Sequence, residues 1–215
     1  MLSEPRSVAA LQGAGDTIAA VASLSHWLDI APVLWKNTGG RTRELCVYPA
    51  AAGFNSFVWR VSVADVDADG DFSVFPGIDR TIVLLEGSGF AMRIDDDAHD
   101  LRDRFSPFAF AGEAAVSVRL HGGATRDFNL MVRRADAVGD IAIYTEHDNP
   151  GLPPETVLLH MTQGNALLTT TGGAQLRLRR GDTVRFHHGA ALPSLICEAG
   201  SVALAVCIRP RMDKE

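Results

Sequence analysis

The sequence predicts an all-β fold made of two similar halves, and three observations carry that prediction. Short apolar runs of strand length recur along the 215 residues, each closed by Gly, Pro, Asn or Asp, which is the spacing of a sandwich or barrel. Several of these runs alternate apolar and polar residues with the two-residue period of a half-buried strand. An internal echo joins the halves. Val83-Leu-Leu-Glu-Gly-Ser-Gly-Phe90 and Leu101-Arg-Asp-Arg-Phe-Ser-Pro-Phe108 are mirrored by Val157-Leu-Leu-His-Met-Thr-Gln-Gly164 and Leu176-Arg-Leu-Arg-Arg-Gly-Asp-Thr-Val184. The offset is about 75 residues, as expected of a duplicated unit.

In chain order, residues 1–27 read as an N-terminal extension, flexible or forming a short helix. Its small-residue stretch, Ile18 to Ser23, lies beyond Gln12, Gly13, Gly15 and Asp16, which interrupt the apolar core a signal peptide needs. A domain then spans 28–210, with approximate repeats at 35–134 and 140–208, before a short tail at 211–215. Within it, Thr38-Gly39-Gly40 precedes an alternating strand from Thr42 to Val47; paired glycines let the backbone come close to a neighbour or a ligand. Pro49 to Gly53 breaks the pattern. Phe57-Val-Trp-Arg-Val-Ser-Val-Ala64 places Phe57, Trp59, Val61 and Val63 on one face and Val58, Arg60, Ser62 and Ala64 on the other. A guanidinium and a hydroxyl two residues apart among small apolar neighbours are costly to bury without a partner. After the turn at Asp65 to Asp71 and the Phe75-Pro-Gly77 corner, Thr81 to Leu85 reads as a fully buried strand.

A second polar face follows. Alternation from Asp127 to Arg133 puts Asp127, Asn129, Met131 and Arg133 opposite Phe128, Leu130 and Val132. If this strand borders the Arg60 strand, Arg60, Ser62, Asp127 and Asn129 share the interior. That grouping either grips a ligand or contains an Arg60–Asp127 ion pair that sets strand register. The Gly181-Asp182 turn resembles one common in cupin barrels, so the halves are expected to be cupin-like, together a bicupin of the RmlC-like double-stranded β-helix or jelly-roll type.

Four ordered motifs carry a more specific likeness: Trp35-Lys-Asn-Thr-Gly-Gly-Arg-Thr-Arg-Glu-Leu45, Phe57-Val-Trp-Arg-Val-Ser62, Phe72-Ser-Val-Phe-Pro-Gly-Ile-Asp-Arg80 and Asp127-Phe-Asn-Leu-Met-Val-Arg133. Over residues 28 to 208 the chain resembles the HutD/Ves family. The resemblance implies a bicupin-like fold, an association with histidine utilisation, and binding of a small acidic metabolite of the formylglutamate or urocanate type. It implies no established reaction. Thr38 stands where the likeness leads one to expect a glycine, and Asp71 where it leads one to expect a proline.

The candidate ligand-binding residues are Arg60, Ser62, Asp127, Asn129, Lys36, Asn37, Thr42 and Glu44. Arg60 can hold a carboxylate through two parallel charge-assisted bonds, while Ser62 and Asn129 orient it. Asp127 acts as ligand contact or as a brace for Arg60 or Asn129. Lys36, Asn37, Thr42 and Glu44 line the mouth or form a solvated loop. Trp35, Trp59, Met131 and Arg80 are candidate pocket wall, with core packing the alternative for the tryptophans; Asp79-Arg80 also suits an ion pair or carbonyl cap at the Pro-Gly corner.

Composition narrows the classes. A net charge of −6 with interspersed signs lacks the basic stripe of a nucleic-acid binder, and no run approaches the roughly 20 apolar residues of a membrane span. Cys46, Cys197 and Cys207 lie in apolar stretches and read as buried thiols of a cytoplasmic protein. His187 and His188 are adjacent and point apart on a strand, and His121, His147 and His160 are scattered, so neither metal nor cofactor is expected. The partner expected is a small carboxylate metabolite, with a homodimer allowed. A metal-independent isomerase or lyase is the alternative, with a carboxylate as base, and a protein-interaction module is the third reading.

Overall fold

The structure is a computed structural model that describes residues 22–148 and 151–211. Its strands are β1 (Ala22–His26), β2 (Val33–Leu34), β3 (Gly40–Tyr48), β4 (Trp59–Val66), β5 (Gly70–Asp71), β6 (Ile78–Glu86), β7 (Phe90–Ile94), β8 (Asp97–Leu101) and β9 (Pro107–Ala111). They continue as β10 (Val116–Leu120), β11 (Thr125–Arg133), β12 (Ala137–Thr145), β13 (Thr156–Gln163), β14 (Asn165–Thr169), β15 (Gln175–Arg179), β16 (Asp182–Phe186), β17 (Ser194–Cys197) and β18 (Val202–Pro210). The helical content of the described residues is a single 3-10 turn at Trp27–Asp29.

The described residues divide into two compact units, one of 22–29 with 140–208 and one of 30–139 with 209–211. In the 30–139 unit a six-stranded sheet runs β2-β3-β4-β11-β6-β9 and a four-stranded sheet runs β5-β10-β7-β8. In the 140–208 unit the corresponding orders are β1-β16-β13-β18-β12 and β15-β14-β17. The triplet β9-β6-β11 thus recurs as β16-β13-β18, and β8-β7-β10 as β15-β14-β17, so the echo read in the sequence is an echo of strand order. Residue for residue it slips. Ile82 faces its unit's core, whereas Leu159 and Met161 face theirs, so laying Val83 on Val157 superposes opposite faces. The turn after β6 has three residues and that after β13 has one, Gly164, and in a strand a one-residue slip reverses every side chain.

Cross-strand register builds the polar face. Strand β11 pairs antiparallel with β4, setting Met131 beside Arg60, Asn129 beside Ser62 and Asp127 beside Ala64. On its other side it pairs with β6, setting Met131 beside Arg80 and Asn129 beside Ile82. Residues directly opposite in a sheet share a face, so Arg60, Met131 and Arg80 form one row. Strand β3 adds Glu44 beside Ser62 and Thr42 beside Ala64. Ile82 packs with Phe90, Met92, Val116 and Val118 of the four-stranded sheet, which identifies this polar face as the one turned inward between the two sheets.

Two expectations change and one is met. Ala22–His26, assigned to the extension, is strand β1, paired with β16 from Phe186 to Asp182; its alternation buries Ala22 and packs Leu24 on the core. Trp27 opens the 3-10 turn, while residues 1–21 of that extension, and all of the C-terminal tail beyond Arg211, lie outside the described residues. Phe57 does not share a face with Trp59. It precedes β4 and packs with Val47, Ile78 and Met131, because alternation holds only where the backbone is extended. Finally, Gly40 makes a close approach to a neighbour: a Cβ there would stand 2.4 Å from the Asp65 carbonyl oxygen and 3.0 Å from the Trp35 ring. Thr38, where the likeness suggested glycine, has a φ of 57°, the left-handed region that glycine occupies without strain.

Candidate anion-binding site

The interior row of the 30–139 unit carries two guanidiniums. Arg60 enters from β4, and its Nε donates to Glu44 Oε2 at 2.7 Å while Nη1 donates to Ser62 Oγ at 3.3 Å. Its side chain is 11% exposed, against 42% for Glu44. Arg80 enters from β6 and is buried. Nη1 donates to the Ser73 carbonyl at 3.2 Å, but Nε is buried with no hydrogen-bond partner, and no carboxylate among the described residues pairs with it.

Aromatic rings make Arg80 tolerable. Its Cζ lies 4.8 Å from the centre of Phe110, 5.3 Å from Phe72 and 5.6 Å from Phe75, distances at which the ring faces attract a cation. Phe75 stacks on Phe54 with centroids 5.6 Å apart, and Phe54 lies 5.0 Å from Cζ of Arg60. An aromatic pair therefore links the two cations. Burial, and then the charge of Arg60, bring the Arg80 pKa down to about 10, so Arg80 remains charged at neutral pH.

The Arg60–Asp127 ion pair does not exist; Arg60 is held by Glu44 instead. Asp127 stands beside Ala64, four residues along β11 from Met131, or roughly 13 Å at the rise of a strand. Its Oδ2 accepts from Thr125 Oγ1 at 3.0 Å and its Oδ1 is buried without a partner. Burial drives its pKa up to about 7, opposed by the Thr125 bond and reinforced by the charge of Asp65. Asn129 Nδ2 donates to the Asp127 carbonyl at 3.3 Å.

Trp35 belongs to the same interior, with Nε1 donating to Thr42 Oγ1 at 2.8 Å and its ring edge-on to Phe72 at 6.4 Å. Met131 fills the row between the arginines. Trp59 does not line the site: by alternation it is on the opposite face of β4, where its ring stacks on Tyr48 at 5.8 Å. Asn37 borders a small hollow with Trp35, Asp69 and Phe72, its Oδ1 accepting from Gly39 N, and Lys36 is exposed beside it. Asp79 turns to Arg134, at 2.7 Å, so the brace at the Pro-Gly corner is Arg80 on the Ser73 carbonyl. Sequence reasoning missed Phe54, Phe75 and Phe110. The first two flank Arg60 and Arg80 from loops, and the signal that existed was the Phe-x-x-Phe spacing within Phe72–Phe75, quoted there only for likeness.

Cys46, Cys197 and Cys207 are all buried. Among the described residues no group of three or more His, Cys, Asp or Glu could hold a metal ion, and no helix is long and apolar enough to cross a membrane.

The HutD family model matches residues 28–204. The chain belongs to the HutD family. Two solved structures are similar over nearly their whole length. A conserved protein of unknown function from Pseudomonas aeruginosa PAO1 is 28% identical with a TM-score of 0.78, over 87% of this chain and 98% of that one. HutD from Pseudomonas fluorescens SBW25, in a formate condition, is 28% identical with a TM-score of 0.75, over 89% and 100%. A cupin 2 conserved barrel domain protein from Leptotrichia buccalis is 10% identical with a TM-score of 0.56, over 88% and 97%, which makes the fold of this HutD-family chain cupin-like.

Proposed function

We propose that this HutD-family protein binds a small carboxylate metabolite, of the formylglutamate or urocanate type, between Arg60 and Arg80, and thereby modulates histidine utilisation. We read its two units as the cupin-like halves of a bicupin, of which only the 30–139 half is a binding half. The observation that carries the proposal is Arg80. A buried guanidinium with an unpartnered Nε, no facing carboxylate among the described residues and a second guanidinium nearby lacks an anion, and a carboxylate suits the planar donor fork of arginine. Ser62 and Asn129, in the next row, supply neutral hydrogen-bonding groups of the kind that orient small ligands.

The test is a thermal-shift titration with formylglutamate, urocanate, glutamate and formate, on wild type, Arg60→Ala and Arg80→Met. A ligand at 100 times its Kd stabilises by about 2.7 kcal/mol, or roughly 5 to 10 °C at this length. A saturable shift that disappears in both folded variants supports the site; no shift at millimolar concentration in folded wild type rejects it.

A second reading, proton-transfer catalysis without a metal, is favoured by the raised pKa of Asp127, since a carboxyl group titrating near 7 suits a general acid or base. It ranks lower because Asp127 is fully enclosed and lies along the strand from the arginine row. It requires turnover of a bound carboxylate that Asp127→Asn abolishes while binding persists.

A further inference from the structure

We propose that Glu44 is a specificity-determining residue of this site: it occupies Arg60 as an internal stand-in for a ligand carboxylate, and a ligand with two carboxylates displaces it. The inference rests on the carboxylate-binding reading above and concerns what that site selects.

Glu44 holds Arg60 by one bond, Oε2 to Nε. With Nη1 on Ser62, Nη2 of Arg60 has no hydrogen-bond partner among the described residues, so the Nε/Nη2 edge that grips a carboxylate with two parallel bonds is half used. The Glu44 side chain is 42% exposed, so rotation about its own bonds returns it to water. A single pair with so exposed a partner is weak. Glu44 also sits where β3 is irregular: the pairing of β3 with β4 shifts between Glu44 and Cys46, and such a bulge re-aims a side chain. By contrast the carboxylate of Asp65 is locked. Asp65, whose side chain is 10% exposed, accepts from Arg41, Arg43 and Arg126.

Charge counting gives the selectivity. With Glu44 in place the row holds two cations and one anion, and only Arg80 lacks a counter-charge. A monocarboxylate satisfies Arg80 and leaves Glu44 where it is. A dicarboxylate that pairs with both arginines must exchange one of its carboxylates for Glu44. Removing the charge of Glu44 therefore helps the dicarboxylate far more than the monocarboxylate.

Isothermal titration of wild type and Glu44→Gln with succinate and glutarate, and with acetate and formate, tests this, using Arg60→Gln as the site control. The expected result is binding of the dicarboxylates at least about tenfold tighter in Glu44→Gln, lost in Arg60→Gln, with the monocarboxylates changed by less than about twofold. Equal gains for both classes, or weaker dicarboxylate binding in Glu44→Gln, would overturn the role of Glu44 while leaving a carboxylate site standing. If neither class binds wild type or Glu44→Gln, with both folded, the carboxylate-binding reading itself fails and the inference with it.

Discussion

The two units share a strand order but fill their interiors differently. Between the sheets of the 140–208 unit, Leu159, Met161, Val184, Phe186, Ala203 and Ala205 meet Ala166, Leu168, Leu176, Leu178, Leu195 and Cys197, an apolar plug with buried Asp182 at the start of the Val184 strand, its Oδ2 accepting from Arg179 N. At the matching place in the 30–139 unit, β4, β6 and β11 present Arg60, Ser62, Arg80, Asp127 and Asn129. One interior is filled in the way that maximises burial; the other keeps cations and neutral polar groups that cost stability unless something pairs with them. A shared strand order thus carries two different interiors, one devoted to packing and the other holding the proposed binding site.

The largest test of this contrast is its pH signature. Asp127 in the 30–139 unit has a folded pKa raised from 3.8 to about 7, so between those values the folded state holds a proton that the unfolded state has released, and stability falls as pH rises. His160 in the 140–208 unit, bonded to Thr183 Oγ1 at 2.8 Å, has a folded pKa lowered by burial from 6.5 to about 3, so stability there rises with pH. The two shifts correspond to roughly 4 and roughly 5 kcal/mol respectively. The two slopes oppose each other from about pH 4 to 6.5. Asp127→Asn is expected to leave a stability that climbs with pH up to about 6.5, and His160→Gln one that declines from about 4 to 7. Urea unfolding across that range reads both, and identical profiles in the two variants would contradict the assignment.

Leu168→Ala comes next. It opens a cavity in the apolar plug and is expected to cost about 3 kcal/mol, with hydrogen-exchange protection lost in residues 151–208 and kept in β4, β6 and β11. Arg80→Met makes the polar interior resemble the plug. Replacing an uncompensated buried cation with a side chain of similar volume is expected to leave stability unchanged or raise it by about 1 to 2 kcal/mol, while abolishing any carboxylate-dependent shift. A loss of more than about 2 kcal/mol in urea unfolding would instead make Arg80 a structural strut through Ser73 and its three rings. Ser62→Ala is the smallest change. Its hydroxyl accepts one bond at 3.3 Å, so its effect on stability is expected to stay within about 1 kcal/mol, with ligand affinity as the more sensitive readout.

Much of this was legible from particular residues. The period of two across Arg60–Ser62 and Asp127–Met131 put the right side chains on one face, and the guess that the two strands are neighbours is met pair by pair. The same rule misplaced Phe57, which lies before the strand begins. It also named Asp127 as the partner of Arg60, because alternation says which face a residue occupies and not how far along that face it sits. The stand-in role of Glu44 depends on the irregular pairing of β3, and the place of Phe54 on a loop with no period at all, so neither had a sequence signal of its own.

By itself the sequence determined the all-β class, the family and the polar face, because these follow from periodicities and motifs that are local in the chain. Only the tertiary structure decided that the candidate site is a pair of arginines, that Glu44 pairs with one of them, and that Arg80 has no carboxylate partner among the described residues. Those facts depend on register between strands distant in sequence and on desolvation. A guanidinium exposed to water needs no partner, and the same group enclosed by Phe72, Phe75 and Phe110 does.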